Sequence, residues 1–92
     1  MSETIRVTAD HIAEGERGNP CACPVALAVR DQTGAQIAYV DMATVAITRR
    51  NHDFEAHSPP QVSHFVDAFD HGHPVEPFEF TVTWQDGVGC LR

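Results

Sequence analysis

Two thiols stand close together in the sequence, because a single alanine separates Cys21 from Cys23 just ahead of a predicted helix. Backbone N–H groups at the start of a helix stabilise a thiolate and so lower the pKa of the thiol. With His71 and His73 as further ligands, the pair also has the donor set of a zinc site. Zinc-binding cysteines are usually separated by about two to four residues, however. The spacing therefore favours packing of Cys23 as a small apolar residue with Cys21 partly exposed, and zinc binding and thiol redox chemistry remain alternatives.

A second group of reactive side chains lies on another predicted helix, where His64, Asp67, Asp70 and His71 share one face. Imidazole beside carboxylate is the chemistry of a general base or of a metal site. An apolar Val/Phe stripe occupies the opposite side, so this His/Asp face is expected to meet water. We interpret it as a solvated surface and as one candidate site for contact with a partner.

The polar segment 50–58 is predicted to be an irregular loop. Exposed loops frequently carry binding residues. The segment and the residue before it supply a second set of candidate interaction residues, Arg49, Arg50 and His52.

Catalytic motifs are absent from the sequence, which contains no nucleophile elbow, phosphate-binding glycine loop, zinc-protease helix or paired-carboxylate motif. The chain is therefore expected to be no enzyme and to hold no cofactor.

The charge balance also limits the partners. The 92 residues carry a net charge of -7, with 13 acidic side chains against six basic ones, and all six basic side chains are arginines. Phosphate-backbone binding depends on clustered lysine and arginine, so direct contact with nucleic acid is not expected. The acidic surface instead suits a basic protein partner or a mimic of nucleic acid.

The sequence also bears on location. It contains no run of about 20 apolar residues that would span a membrane, and no secretion signal is apparent. Its three cysteines, Cys21, Cys23 and Cys90, are an odd number and do not indicate a disulfide framework. We expect reduced thiols in a cytoplasmic protein that does not contact a membrane.

The residue pattern predicts a single small domain over residues 1–92. The predicted elements, in chain order, are a strand at 4–8, a helical turn Ala9–Glu14 capped by Thr8, a helix from Pro24 to Gly34, strands Gln36–Asp41 and Thr44–Arg49, a helix capped by Ser58 and Gln61 that ends at Gly72, a strand Phe78–Trp84, and a tail marked by Gly87 and Gly89. This β-α-β-β-α-β order, with its extra N-terminal turn, predicts an α+β fold. We expect a four-stranded, mainly antiparallel sheet with two helices on one face, as in ferredoxin-like domains.

Three segments are familiar in their order and spacing: residues 11–15 (HIAEG), 23–31 (CPVALAVRD) and 65–80 (FVDAFDHGHPVEPFEF). In these segments the chain resembles a family of small proteins of unassigned function that are encoded by actinobacteriophages and actinobacterial genomes. Members often begin the first long helix with Cys-x-x-Cys-Pro, where this chain has Cys21-Ala22-Cys23-Pro24. The resemblance implies a small accessory gene product and carries over no catalytic residue.

These observations lead to one expected function and two alternatives. The leading hypothesis is a non-enzymatic phage-type accessory protein that binds a host or phage protein, through an exposed strand edge, the 49–57 segment or the His/Asp face. A homodimer formed through such an edge is also expected. The alternatives are an acidic nucleic-acid mimic that inhibits a host enzyme and a small zinc or thiol module built on Cys21 and Cys23.

Overall fold

The structure is a computed structural model and describes residues 2–86. Cys90 and the tail predicted from Gly87 and Gly89 lie outside these residues. The elements, in chain order, are β1 (Ser2–Val7), α1 (Ala9–Glu14), α2 (Pro24–Thr33), β2 (Ile37–Val40), β3 (Thr44–Arg49), β4 (His52–His57), α3 (Pro60–Asp70), β5 (Phe78–Thr83) and β6 (Gln85–Asp86).

The α+β class is confirmed, and the strands are divided between two antiparallel sheets where the sequence predicts one. One sheet pairs β1 with β5, and the other has the order β2-β3-β4-β6. Two pairings of a ferredoxin-like domain are therefore present. The first strand, β1, pairs with the long C-terminal strand β5, and β2 pairs with β3 in a hairpin. The parallel pairing that would join β1 to β3 in that fold is absent from residues 2–86. A ferredoxin-like arrangement is thus not what this chain adopts.

An additional strand, β4, occupies the segment that the sequence predicts to be irregular. Residues 50 and 51 form a two-residue hairpin loop, and Arg49 pairs with His52 across it. Both loop residues have positive φ, 55° at Arg50 and 63° at Asn51. This is the twist of a type I′ turn, which matches the twist of the flanking strands and is usually built from Asn-Gly. With arginine and asparagine in those places, the sequence lacks the usual turn signal.

The ends of the helices follow from a few local contacts. Thr8 caps α1 as predicted, because its side chain accepts the His11 N–H and the imidazole of His11 accepts the Thr8 N–H. Helix α2 begins at Pro24 as predicted and ends at Gly34, which has a φ of 73°. At the far end of α3, the His73 N–H donates to the Ala68 carbonyl, which closes the helix in the Schellman manner.

The predicted cap of α3 is wrong. Its N-cap is Pro59, which makes no side-chain capping bond, and the Ser58 hydroxyl instead donates to the Asp41 carbonyl at 2.9 Å. The reason lies in the two consecutive prolines. A residue before proline is kept out of the helical region, so Pro59 stays extended at ψ 155° and becomes the residue at the helix boundary.

The core lies between the two sheets and the helices. Alternation along β5 buries Phe80 and Val82 and leaves Glu79, Thr81 and Thr83 exposed, as predicted. The buried apolar side chains form one cluster that includes Ile5, Val7, Val25, Val29, Val40, Val45, Ile47 and Val62. None of the helices within residues 2–86 is long and apolar enough to cross a membrane.

Candidate interaction surface

The two closely spaced cysteines, Cys21 and Cys23, lie in different surroundings. Cys23 is the N-cap of α2, is buried, and accepts the Ala26 N–H on Sγ at 3.5 Å. Burial raises the pKa of this thiol and outweighs the backbone N–H groups that lower it. The predicted lowering of the pKa is therefore wrong for Cys23. Cys21 is exposed, so the packing expected for the pair is confirmed.

The four residues considered for zinc do not form a donor cluster. His71 and His73 are exposed just beyond α3, with ring centroids 6.2 Å apart. His71 Nδ1 lies 2.8 Å from the Asp67 carbonyl oxygen and 3.3 Å from its carboxylate, so this imidazole pairs with its own helix. Within residues 2–86, no three His, Cys, Asp or Glu side chains are arranged to hold a metal ion.

The His/Asp face is partly used inside the fold. His64, Asp67 and Asp70 are all exposed on α3. The Asp70 carboxylate accepts the Gly18 N–H at 3.0 Å. Asp70 thereby ties the loop that precedes α2 to the end of α3. The outward part of this face is left to His64, Asp67 and His71, of which Asp67 and His71 pair with each other.

Arg49 lies in a structural network at the end of β3. Its Nη1 donates to the Thr33 carbonyl at 2.9 Å and lies 4.0 Å from the Glu3 carboxylate. The guanidinium carbon is also 5.5 Å from the centroid of the Phe54 ring. The side chain is only 25% exposed. Arg49 therefore joins α2, β1 and β4 rather than extending into solvent.

The other two candidates from this segment belong to the hairpin itself. Arg50 stands in the turn, and its N–H donates to the Gln36 side chain at 3.0 Å. The His52 ring packs at 4.8 Å from the ring of Phe54. The structure thus places His52 on β4 and separates it from the His/Asp face.

Sequence reasoning missed a buried imidazole that links α1 to α2. His11 Nε2 lies 2.8 Å from the Asp31 carboxylate, and His11 Nδ1 accepts the Thr8 N–H at 3.0 Å. Because Nδ1 accepts a bond, the proton is on Nε2 and is donated to Asp31. Both ring nitrogens are engaged, so the imidazole of His11 has no free nitrogen that could take a substrate proton. The three-residue spacing of Thr8 and His11 was the only sequence signal.

The surface that stands out is the face of the four-stranded sheet turned away from the core. The register places Ile37, Thr48 and Asp53 in one row across the sheet. Tyr39, Ala46, Glu55 and Gln85 form the next row. The open face comprises these seven side chains together with Thr44 and His57 of the strand ends. None of its nine positions holds an arginine.

Two large apolar side chains are exposed at the β2 side of the open face. Ile37 is 55% exposed and Tyr39 is 39% exposed, and Met42 at the end of the strand is 51% exposed. Isolated apolar side chains are common on protein surfaces, but grouped ones are typical of contact sites. The sequence reveals the alternation of β2 without showing that its larger side chains point outward, since Ala38 and Val40 take the buried side.

A shallow cavity of about 160 Å³ lies in the open face between β2, β3 and β4. Ile37, Tyr39 and Ala46 form its apolar part, and Thr48 and Asp53 form its polar part. The Thr48 hydroxyl donates to Asp53 Oδ1 at 2.7 Å, which fixes the carboxylate beside the apolar side chains. The cavity therefore combines an apolar lining with one held negative charge.

Asp41 adds to the acidic character of this region. Its carboxylate, through a side-chain hydrogen bond and its charge, raises the pKa of Tyr39. It also accepts the N–H groups of Ala43 and Thr44 at 2.8 and 2.7 Å, which closes the β2–β3 hairpin. The Tyr39 hydroxyl thus holds its proton more tightly than a free tyrosine does, beside a fixed carboxylate.

The outer edge of β2 is partly covered. The backbone N–H of Asp41 donates to the Thr44 carbonyl at 2.9 Å, so the antiparallel alternation turns the N–H groups of Ala38 and Val40 away from β3. The Val40 N–H donates to the Pro20 carbonyl at 2.9 Å. Only the stretch around Ala38 is therefore left for a strand to pair with at this edge.

A second cavity, of about 190 Å³, lies between the loop before α2 and the end of α3. Cys23, Asp41 and Asp70 border it. Its polar groups are already engaged, because Asp70 accepts from Gly18 and Asp41 closes the hairpin. The open face offers the better-defined surface.

No family model, no curated protein and no solved structure matches this chain. The resemblance to the actinobacteriophage family therefore stays a prediction.

Proposed function

We propose that this chain is a non-enzymatic cytoplasmic protein that acts by binding a protein partner through the open face of its four-stranded sheet. The observation that carries the proposal is the exposure of Ile37 and Tyr39 beside Asp53 on a sheet face that no helix covers within residues 2–86. Apolar side chains with a polar surround are the usual composition of a protein contact site.

The state of the reactive side chains supports a role without catalysis. The Cys23 thiol is buried and its pKa is raised, which disfavours the nucleophilic thiolate. Both nitrogens of His11 are bonded within the fold. The buried thiol of Cys23 and the buried imidazole of His11 thus serve packing and helix docking.

The partner is proposed to be a host or phage protein, as the resemblance to the actinobacteriophage family implies. The open face carries two carboxylates, Asp53 and Glu55, and no arginine, and the whole chain has a net charge of -7. Such a face favours a partner that presents basic side chains around an apolar centre.

The test compares two surfaces of the same fold by pull-down from an actinobacterial lysate treated with nuclease. One variant, Ile37→Thr with Tyr39→Thr, removes the apolar side chains of the open face and keeps β-branched residues in β2. The matched control, His64→Ala with Asp67→Asn, changes the outward part of the His/Asp face. We expect the first variant to lose the protein that the native chain retains and the control to keep it. Retention by the first and loss by the control would transfer the function to α3.

The acidic mimic remains the second candidate, because Asp53 and Glu55 occupy neighbouring rows of the open face. Binding by mimicry depends mainly on charge and falls steeply as salt is raised. Binding centred on Ile37 and Tyr39 is expected to survive a high-salt wash. Recovery of a second copy alone would instead indicate the homodimer.

A further inference from the structure

We propose that the cavity of the open face is the anchor point of this interaction and that it takes an arginine side chain of the partner. The inference rests on the proposed function and adds to it the chemistry of the group that is bound. The observation is the juxtaposition of Ile37, Tyr39 and Ala46 with the carboxylate of Asp53 in one cavity of about 160 Å³.

The apolar part of the cavity suits the stem of the side chain. Arginine has an aliphatic stem that packs along apolar surface while its charged end stays at the rim. Ile37 and Ala46 lie diagonally across β2 and β3, since Ile37 pairs with Thr48 and Ala46 with Tyr39, and both line the cavity. An aliphatic ligand would satisfy this part alone but would leave the carboxylate without a counter-charge.

The polar part of the cavity suits the guanidinium. Asp53 is exposed, and the Thr48 hydroxyl bonds only to its Oδ1, at 2.7 Å. A carboxylate has about four acceptor positions, so it can take N–H donors from a guanidinium while it keeps the Thr48 bond. Thr48 thereby orients the charge before the partner arrives.

The aromatic ring of Tyr39 favours arginine over lysine as the side chain bound in the cavity. The guanidinium is planar and stacks on aromatic rings, whereas the ammonium of lysine is a compact, strongly hydrated charge. The ring of Tyr39 lines the cavity and is exposed over more than a third of its surface. A tyrosine hydroxyl is protonated at neutral pH, and the Asp41 carboxylate raises the pKa of Tyr39 further, so the ring is neutral. A guanidinium can therefore contact the ring and Asp53 together.

The charge of the chain agrees with this assignment. Among the nine open-face positions there is no arginine that would occupy the cavity from within, and the chain contains no lysine. The two arginines nearest in sequence, Arg49 and Arg50, stand at the hairpin turn, and Arg49 is bonded to Thr33.

The test is a nuclear magnetic resonance titration of the isotope-labelled full chain with three capped tripeptides: Ala-Arg-Ala, Ala-Lys-Ala and the neutral isostere Ala-citrulline-Ala. We expect the arginine peptide to shift the amide signals of Ile37, Thr48 and Asp53. We expect it to bind about fivefold more tightly than the citrulline peptide, the size of one exposed ion pair with a cation–π contact. Equal shifts with lysine, or with citrulline, would overturn the assignment to arginine.

Two variants locate the effect. Asp53→Asn keeps an oxygen for the Thr48 hydroxyl and removes the charge, so the arginine peptide should then bind no better than the citrulline peptide. The matched control Asp67→Asn removes one carboxylate from α3 and should leave the titration unchanged. Equal weakening by both variants would mean general attraction to an acidic surface and would refute the cavity.

The outcome is separable from that of the proposed function. Loss of the partner by the Ile37→Thr, Tyr39→Thr variant together with no preference among the peptides would retain the binding face and reject the arginine anchor. Unchanged partner binding in that variant would reject the face itself, whatever the peptides show.

Discussion

The indole nitrogen of Trp84 donates a hydrogen bond of 2.7 Å to the carboxylate of Glu3. This contact joins the link between β5 and β6 to the first strand, β1. Trp84 stands between β5, which pairs with β1, and β6, which pairs with β4. The chain thus passes from one sheet to the other at this residue. The Arg49 guanidinium lies 4.0 Å from the same carboxylate, so Glu3 connects both sheets.

Loss of this acceptor should destabilise the fold. Trp84 is only 4% exposed, so Glu3→Ala would leave its N–H buried without a partner. We expect a decrease of about 1–3 kcal/mol in the free energy of unfolding. Glu3→Gln keeps a side-chain oxygen at the same position and should cost clearly less. Because Trp84 is the only tryptophan, its fluorescence during chemical unfolding measures both variants. Equal losses for the two would show that charge, not the hydrogen bond, matters at this corner.

Gly15 is expected to tolerate no larger residue. A Cβ placed there would lie 2.4 Å from Cδ of the Pro24 ring and 2.7 Å from the Pro24 nitrogen. Since the contact is with a ring fixed at the start of α2, Gly15→Ala should lower the free energy of unfolding by about 1–3 kcal/mol.

A double-mutant cycle checks that cause. Pro24→Ala alone should also destabilise, because Pro24 is buried. The combined Gly15→Ala, Pro24→Ala variant should lose less than the sum of the two single losses, as contacting residues do. If the combined loss equals the sum of the two single losses in the free energy of unfolding, the destabilisation by Gly15→Ala does not come from contact with the Pro24 ring.

Local signals in the sequence were sufficient for the helices and for the β2–β3 hairpin. Pro24 at the start of α2 and Gly34 at its end each impose a backbone conformation on their own, so no tertiary information is needed there. The Ser58 cap failed because two neighbouring prolines compete for the same boundary, and the backbone restriction outweighed the capping hydroxyl.

The fourth strand could not be predicted from the sequence, although it pairs with its neighbour β3 through a two-residue loop. Strand β4 buries only Ala56 fully, with Phe54 half-buried, so its apolar alternation is too weak to indicate a strand. Its addition to β3 widens the second sheet, which in turn creates the row of Ile37, Thr48 and Asp53. The candidate site therefore could not be found from residue spacing, since its members come from three strands.

The two cysteines near α2 should differ sharply in reactivity. Cys21 is exposed, whereas Cys23 is buried and its pKa is raised by burial. With Cys90→Ser in the background, a thiol reagent at mildly alkaline pH should modify Cys21 at once and Cys23 roughly a hundredfold or more slowly, at the rate at which the fold opens.

Denaturant supplies the control for this reactivity, because unfolding exposes both thiols and should bring their rates together. Cys21→Ser should remove the fast phase and leave the slow one. A fast phase that survives Cys21→Ser would contradict the burial of Cys23.

The ionisation of Tyr39 can be followed alone, because it is the only tyrosine in the sequence. The hydrogen bond to the Asp41 carboxylate and the charge of that group raise the pKa of Tyr39. Asp41→Asn keeps the side-chain oxygen that closes the hairpin but removes the charge, so the tyrosine should titrate at lower pH. Ultraviolet absorbance of tyrosinate measures the midpoint.

The same interaction makes the stability of the fold depend on pH. The folded chain holds the phenolic proton of Tyr39 more tightly than the unfolded chain, so this stabilisation is present below pH about 10 and is lost as pH rises through the folded pKa. An unchanged midpoint in Asp41→Asn would mean that the two side chains do not interact.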